Sequence, residues 1–462
     1  MKHLILTVGL LNLISNSIYS QGTLHQLALE EIERLREEMV AISDEIWDYS
    51  ELSYEEVRSS ALIKQTLENH GFATIETAGG ITTQFVATYG KEGPVIGLFG
   101  EYDADESASN ESIPLRKPRS STNSGHGGHH NLLGVGSLAA ALALKKLISE
   151  GKLKCRVKYF GTTDEGGIGG KVGLARQGQF DNLDFSIYWH PSPVTRPSTH
   201  IWDSIFEFEL DITANTPGRI HLEPQNSSPL YYFNHLMTKF DSLKKMINPE
   251  IRINYHLKSN SNNLQVYPDS LQVRMIFQHT DQKENAIFYE QSKRLMKSND
   301  FFGIDFRLIR AKHEFIVNRA ALKLIEKNMQ VLGEIEYSEQ EIAFVDQFFE
   351  YLDKNGTLRG RPGKLTPETP KKLFGYASDI GEASWFAPEA YFVTTTLPAG
   401  ASMHHWHGTI FSKHSIGHKG MIYAAKVMTM TIIDYVQDRS IQKRIEEEFQ
   451  SKTKGYVYRS YK

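Results

Sequence analysis

The histidines of this chain are unevenly spread. His126, His129 and His130 crowd one glycine-rich stretch, SGHGGHHNLLG at 124–134, and MHHWHGTIFSKHSIGH at 403–418 holds His404, His405, His407, His414 and His418. Carboxylates and one further histidine follow short apolar runs: VIGLFG leads into Glu101 and Asp103, KYFGT into Asp164 and Glu165, and SIYW into His190. Neutral imidazole is the commonest transition-metal ligand, and a hydrolytic metal site needs several nitrogen and oxygen donors plus an open position for water. A lone histidine carries no such message. Strand-end His190, helix-start His130 and the Asp164–Glu165 pair meeting on one rim point to a metal site or to the remains of one. His405, His407 and His414 are assigned to the surface.

Those residues need a scaffold that gathers them. Ile32, Leu35, Met39, Ile42 and Ile46 recur at helical spacing, and a second helix is expected to open on a Ser53–Glu56 capping box and stop at Asn69-His70-Gly71. Apolar runs then alternate with helical ones: TQFVATY, VIGLFGEYD, a helix from Asn131 to about Ile148, LKCRVKYFG, a helix near Lys171, and DFSIYWH. Such alternation predicts βαβ units and a mainly parallel central sheet, whose strand carboxyl ends are where ligands gather. From Ile205 the rhythm becomes strand, helix, two strands, helix, strand, the βαββαβ order of a ferredoxin-like unit. The expected fold is therefore an α/β catalytic domain interrupted by an inserted α+β domain. Its parts are residues 21–204, the insert at 205–311, and 312–462. The Ser/Asn/Pro-rich stretch from Glu106 to Ser124 reads as a surface loop.

The totals exclude some classes. With 40% hydrophobic and 23% charged residues over 462 positions, and a formal charge of −4, the chain has no basic field for a nucleic-acid backbone. Lys2, the apolar run Leu4 to Ile14 and small polar residues up to Ser20 form the pattern of a signal peptide, residues 1–20, implying a secreted or periplasmic protein. The run is short of the roughly 20 residues that span a bilayer, and no later segment is expected to span. The single Cys155 cannot form an internal disulfide and is read as structural.

These motifs resemble the zinc-dependent aminoacylase and carboxypeptidase superfamily of metallopeptidases, in particular its amidohydrolase branch containing p-aminobenzoyl-glutamate hydrolase. The matching stretches are GEYDAD (100–105), HxxxHNLLG (126–134), GTTDEGGIGGK (161–171), WHP (189–191), SDIGEASW (378–385), MHHW (403–406) and SIGHKGM (415–421), in the family's order. The resemblance implies a metal pair, usually zinc or manganese, a glutamate general base, a small amide or peptide substrate, and a homodimer formed through the inserted domain. Carried over by position, His126, His130, His190 and His404 match metal-site histidines. Asp103 matches the aspartate of the branch's EYDALP-like motif and joins Glu165 as a catalytic candidate.

The departures fall on chemical positions. The family's cysteine ligand is Gly128 here, followed by His129. Its Glu-Glu pair becomes either Glu165 as base followed by Gly166, or, shifted by one, Asp164 as base with Glu165 as ligand. An oxyanion-stabilising histidine of the inserted domain falls on Thr216, with His221 nearby, and a substrate-binding arginine on Gln278. Since one oxyanion donor is worth about 2.7–4 kcal/mol, joint loss of these groups would leave little activity. Two expectations follow. One is an exported metal-dependent amidohydrolase of N-acyl or aminobenzoyl amino acids or short peptides, with an altered site in which His130, His190, His404 and Asp164 or Glu165 hold a metal. The other is a catalytically degenerate relative, without metal, that binds peptides, acyl amino acids or a partner protein.

Overall fold

The computed structural model describes the backbone of residues 2–200, 202–214, 228–259, 268–297, 302–353, 357, 359–367 and 376–461, with side chains from residue 23 onward. Thr216 and His221 lie outside the described residues, and the signal-peptide segment 1–20 lies outside those with described side chains. In chain order the first half comprises α1 (Lys2–Tyr49), α2 (Val57–Asn69), β1 (Ala73–Glu76), β2 (Phe85–Tyr89), β3 (Val95–Glu101), α3 (His130–Ser149), β4 (Arg156–Thr162), α4 (Gly170–Arg176), β5 (Phe185–Ser192) and β6 (Arg196–Pro197). The four-stranded unit follows with β7 (Ser204–Ala214), α5 (Pro229–Ile247), β8 (Arg252–Ser259), β9 (Ser270–His279), α6 (Gln282–Lys297) and β10 (Phe302–Lys312). The chain then returns through α7 (Arg319–Leu332), α8 (Glu339–Leu352), α9 (Ile380–Ala383), β11 (Glu389–Thr395), α10 (Trp406–Phe411), α11 (Ser415–Gln437) and α12 (Arg439–Thr453).

The large sheet has the order β1-β2-β4-β3-β5-β11-β6. Its centre, β4, β3, β5 and β11, is parallel, while β1, β2 and β6 pair antiparallel at the edges. Strands covered on both faces read as continuous apolar runs, and every residue of β3 and β11 is buried. Helix α3 packs on β3 on one side and on α1 and α11 on the other, and the α1 residues Ile32, Leu35, Met39, Ile42 and Ile46 all face that core, as their spacing predicts. By length and composition α3 could cross a membrane, contrary to the expectation that no later segment would, with a mean hydropathy of 1.6 over its most apolar window. That window is largely buried, so the apolarity serves a core helix.

The second sheet is antiparallel, ordered β10-β7-β9-β8, with α5 and α6 packed against it in the βαββαβ arrangement. Strand β9 alternates, burying Leu271, Val273, Met275 and Phe277, the period of two that one covered face requires. The rings of Phe208, Phe277 and Phe288 stack edge to face at 4.9 and 4.7 Å, giving this sheet a core of its own.

One local expectation fails. The expected capping box does not form: Ser53 Oγ donates to Asp103 Oδ2 at 2.9 Å, Glu56 turns inward to accept from the Thr163 hydroxyl, and the N–H groups of Arg58 and Ser59 in the first turn of α2 donate to the Glu51 carboxylate at 3.1 and 2.9 Å. Both residues of the expected box are committed to the loops at the carboxyl ends of the parallel strands, and Glu51 satisfies the helix start in their place. The helix does stop at Asn69, with Gly71 at φ +86°.

Leu138→Ala, at a fully buried position in the middle of α3, is expected to lower unfolding free energy by about 2–5 kcal/mol. Denaturant titration followed by circular dichroism measures it, and a loss below about 1 kcal/mol would contradict the role of α3 as the central core helix.

Candidate metal centre

The carboxyl ends of β3, β4 and β5 deliver chemistry to one rim. Glu101 ends β3 and Asp103 follows it, Glu165 lies in the turn between β4 and α4, and His190 sits near the end of β5. His130 is the first residue of α3, and His404 arrives from the segment between β11 and α10. Three turns here hold non-glycine residues at positive φ: His129 at 64°, Asp164 at 57° and His404 at 53°. Left-handed backbone is costly for side-chain-bearing residues and persists where surrounding contacts over-determine it.

Three imidazoles share one pattern. His130 Nδ1 lies 2.8 Å from Asp103 Oδ1, His190 Nδ1 lies 2.8 Å from the Pro191 carbonyl, and His404 Nδ1 lies 2.8 Å from Asp105 Oδ1. A ring that donates from Nδ1 leaves Nε2 with its lone pair, and metal-binding histidines are oriented in this way. Glu165 Oε2 stands 3.9 Å from His130 Nε2 and 3.7 Å from His190 Nε2, and the three ligand atoms lie within 4.8 Å of one another. Donors about 2.1 Å from a tetrahedral ion sit about 3.4 Å apart, so the spacing suits one divalent ion. Among the described residues His130 Nε2 is buried without a hydrogen-bond partner, which also fits a cation at that place. A nitrogen-rich set with a single carboxylate matches the chemistry of zinc, with manganese as the harder alternative.

The field points the same way. Burial alone would keep His130 neutral, yet Asp103, Glu101 and Glu165 around it push its pKa up to about 10. Burial likewise opposes ionisation of Asp103, but the His130 charge and hydrogen bond hold it at about 2. Glu165 is driven well below the carboxylate range despite its burial, chiefly by His190 and then by Lys171 and His130. Asp103, Glu101 and Glu165 together favour positive charge in this region.

The carboxylates are braced from behind. Lys171, fully buried, donates to Glu101 Oε1 at 2.5 Å and to Asp379 Oδ1 at 2.8 Å, and Tyr188 adds a bond to Glu101 Oε1 at 2.9 Å. Ser378 Oγ donates to Glu165 Oε1, and Lys312 Nζ donates to the Glu165 carbonyl at 2.5 Å. A register shift between Leu308 and Arg310 in β10 is a local irregularity of the kind that re-aims side chains near sites, and Arg310 donates to the carbonyls of Gly166 and Gly167. The last strand of the inserted sheet thus holds the Glu165 turn.

Other sequence candidates are placed differently. His126 is fully buried, and its Nε2 faces the Ile46 carbonyl at 3.0 Å, which corrects its expectation as a metal ligand: the turn directs it under α1, where burial lowers its pKa to about 4. His129 is also buried, with neither ring nitrogen hydrogen-bonded among the described residues. Asp164 lines the cleft outside the ligand group, its Oδ2 accepting from the Tyr54 hydroxyl and the Ile168 N–H at 2.5 Å each. A Cβ at Gly166 would meet nothing within 4 Å, whereas Glu165 Oε2 faces His130 and His190. Gln278 lies buried in β9, opposite Ile205 and Arg252, and is not among the described residues lining this cleft. His414 is half-buried and caps α11.

Glu101 stands out in the sequence only as a strand-end acid. In the structure its Oε2 is buried, without a hydrogen-bond partner among the described residues, 3.5 Å from His130 Nε2. The available signal was a charge directly ending an all-apolar strand. The centre opens into a cleft of about 660 Å³ whose other walls include His200, Trp202 and Tyr376.

Comparison with known proteins places the fold. No protein-family model matches the chain. It is 27% identical over 463 residues to one of the subunits of p-aminobenzoyl-glutamate hydrolase from Escherichia coli (strain K12), covering 92% of this chain and 95% of the relative. Among solved structures, a dinuclear metal binding peptidase of the M20 family from Bacillus subtilis superposes with a TM-score of 0.59 at 12% identity, covering 87% of this chain and 99% of the other. An aminobenzoyl-glutamate utilization protein from Klebsiella pneumoniae does so with a TM-score of 0.56 at 12% identity, covering 89% and 99%. The relatives are those the motifs resemble, and the fold, a parallel-centred sheet with a βαββαβ insert, is theirs.

Replacing His190 with alanine removes one of the three grouped donors and is expected to abolish zinc retention through dialysis, whereas His126→Ala should retain it. Elemental analysis of the dialysed proteins decides, and zinc loss confined to His126→Ala would contradict the assignment.

Proposed function

We propose that this chain, a relative of the aminobenzoyl-glutamate hydrolases, is a metal-dependent amidohydrolase that cleaves the amide of an N-acyl or aminobenzoyl amino acid or a short peptide. The observation that carries the reading is the convergence of His130 Nε2, Glu165 Oε2 and His190 Nε2 within 4.8 Å, each in a ring or carboxylate already oriented from behind. A divalent ion held there supplies Lewis acidity, polarising the scissile carbonyl and bringing the pKa of a water towards about 7.

The protein's own groups do the rest. Glu165 is the ligand and Asp164 the base, because Glu165 faces the histidines and Asp164 stands beside it on the cleft wall. Asp164 accepts the proton of the attacking water at its carboxylate and returns it to the departing amide nitrogen. The Tyr54 hydroxyl and the N–H groups of Ile168 and Gly169 fix that carboxylate in place. His200, Trp202 and Tyr376 offer flat surfaces to the acyl part of a substrate, and the cleft volume accommodates a molecule of that size. Export, inferred from the pattern of residues 1–20, would place the activity outside the cytoplasm.

One observation favours a second reading. The Asp164 carboxylate already accepts three hydrogen bonds, and a base so engaged is weakened, which suits a cleft that binds acyl amino acids without turning them over.

The two readings separate in one assay. Purified protein loaded with zinc or manganese is expected to release amino acid from a panel of N-acyl and aminobenzoyl amino acids, with activity lost on chelation. Asp164→Asn should lower kcat by about 10²–10⁴-fold, and Glu165→Gln should lower zinc retention as well as rate. Tight binding of the same compounds with no turnover under either metal would establish the second reading.

A further inference from the structure

Asp105 belongs to neither the grouped ligands nor the family positions carried over from the motifs, yet it is among the most constrained residues of the rim. Its N–H donates to the Gly125 carbonyl at 2.9 Å and its own carbonyl accepts from the Gly125 N–H at 3.0 Å, a bridge that closes the loop 106–124. From this fixed backbone the carboxylate makes two further bonds. Oδ2 accepts from the Gly128 N–H at 2.6 Å, and Oδ1 pairs with His404 Nδ1 at 2.8 Å. His404 is also tied through its backbone, donating its N–H to the Gly127 carbonyl at 3.1 Å.

The glycines of the turn explain how the two segments come so close. A Cβ built on Gly128 would lie 2.8 Å from His404 Cε1 and 3.0 Å from Nδ1, and one on Gly127 would lie 2.7 Å from the His405 nitrogen. The ring of His404 occupies the place a side chain at 128 would need. Asp103 and Asp105, two residues apart after β3, each take the Nδ1 of one histidine at 2.8 Å. The rings of those two histidines stand 6.3 Å apart, face to edge, across the mouth of the centre.

We propose that Asp105 is the positioning residue that sets His404 as the outer metal ligand of the centre, and that Gly128 belongs to the same device as the residue whose missing Cβ admits the His404 ring. The proposal rests on the metal-centre reading above. Both oxygens of Asp105 are committed, so it acts through His404 and not as a ligand. The turn has been rebuilt around an imidazole held by a carboxylate, in a position where a side chain at 128 and the ring of His404 exclude one another.

The test is a zinc-affinity cycle on the full chain, using competition with a chromophoric chelator and melting temperature as the check on folding. Asp105→Ala and His404→Ala are each expected to weaken zinc binding by about 10–100-fold, and the double variant should be no weaker than His404→Ala alone. Asp105→Asn should recover part of the affinity, because its amide oxygen still accepts from Nδ1–H, and Gly128→Ala should weaken binding by crowding the ring. Should Asp105→Ala fail to fold, Asp105→Asn combined with His404→Ala carries the same cycle. Zinc affinity that survives Asp105→Ala unchanged, or additive losses in the double variant, overturns the proposal. Binding that is lost in His130→Ala but unaffected in His404→Ala overturns it while leaving the centre standing, whereas a parent protein that binds no zinc removes both.

Discussion

An imidazole offers one nitrogen to a metal reliably only when the other is spoken for, and in this chain that commitment is made three times, by Asp103, by the Pro191 carbonyl and by Asp105. Much of the local architecture follows from these three bonds. The Ser53 hydroxyl fixes Asp103, the Asp105–Gly125 bridge closes a long loop so that a carboxylate stays under His404, and the β5 backbone folds a carbonyl back on its own histidine. The ring orientations are set by groups outside the grouped atoms, and His130 Nε2, His190 Nε2 and Glu165 Oε2 lie within 4.8 Å of one another. Such pre-organisation lowers the cost of binding.

The acids that surround the grouped donors, Glu101, Asp103 and Asp379, also need balance, because buried like charges repel and desolvation penalises each of them. Lys171 supplies that balance from beneath, fully buried between Glu101 and Asp379. Lys312 and Arg310 do the same for the Glu165 turn through its carbonyls, and both come from the last strand of the inserted sheet. The two sheets therefore meet at the site, through the Glu165 turn.

The architecture was legible because its periodicities are strong. The α1 face, the all-buried β3 and β11, and the alternation of β9 follow directly from which residues can be buried on one side or on both. His190 and Glu165 stand out in the sequence because charged and imidazole groups seldom follow apolar strands without cause, and His130 because it opens a helix after a glycine-rich, histidine-crowded stretch. What the spacing could not convey was direction. His126 and His130 look equivalent in HxxxH, but left-handed backbone at His129 sends one ring under α1 and the other to the rim. Ser53 and Glu56 satisfy a local capping rule that tertiary contacts override. Asp105 was hidden for a similar reason: its partners, Gly128 and His404, lie 23 and 299 residues away, and no local pattern announces them.

The most direct measurement is the anomalous scattering of a zinc-loaded crystal collected on either side of the zinc absorption edge. The account predicts one strong peak per chain between His130 Nε2, Glu165 Oε2 and His190 Nε2, with His404 turned towards it and its Nδ1 still on Asp105. A map with no peak in that space, or with zinc only at exposed surface histidines, would contradict it.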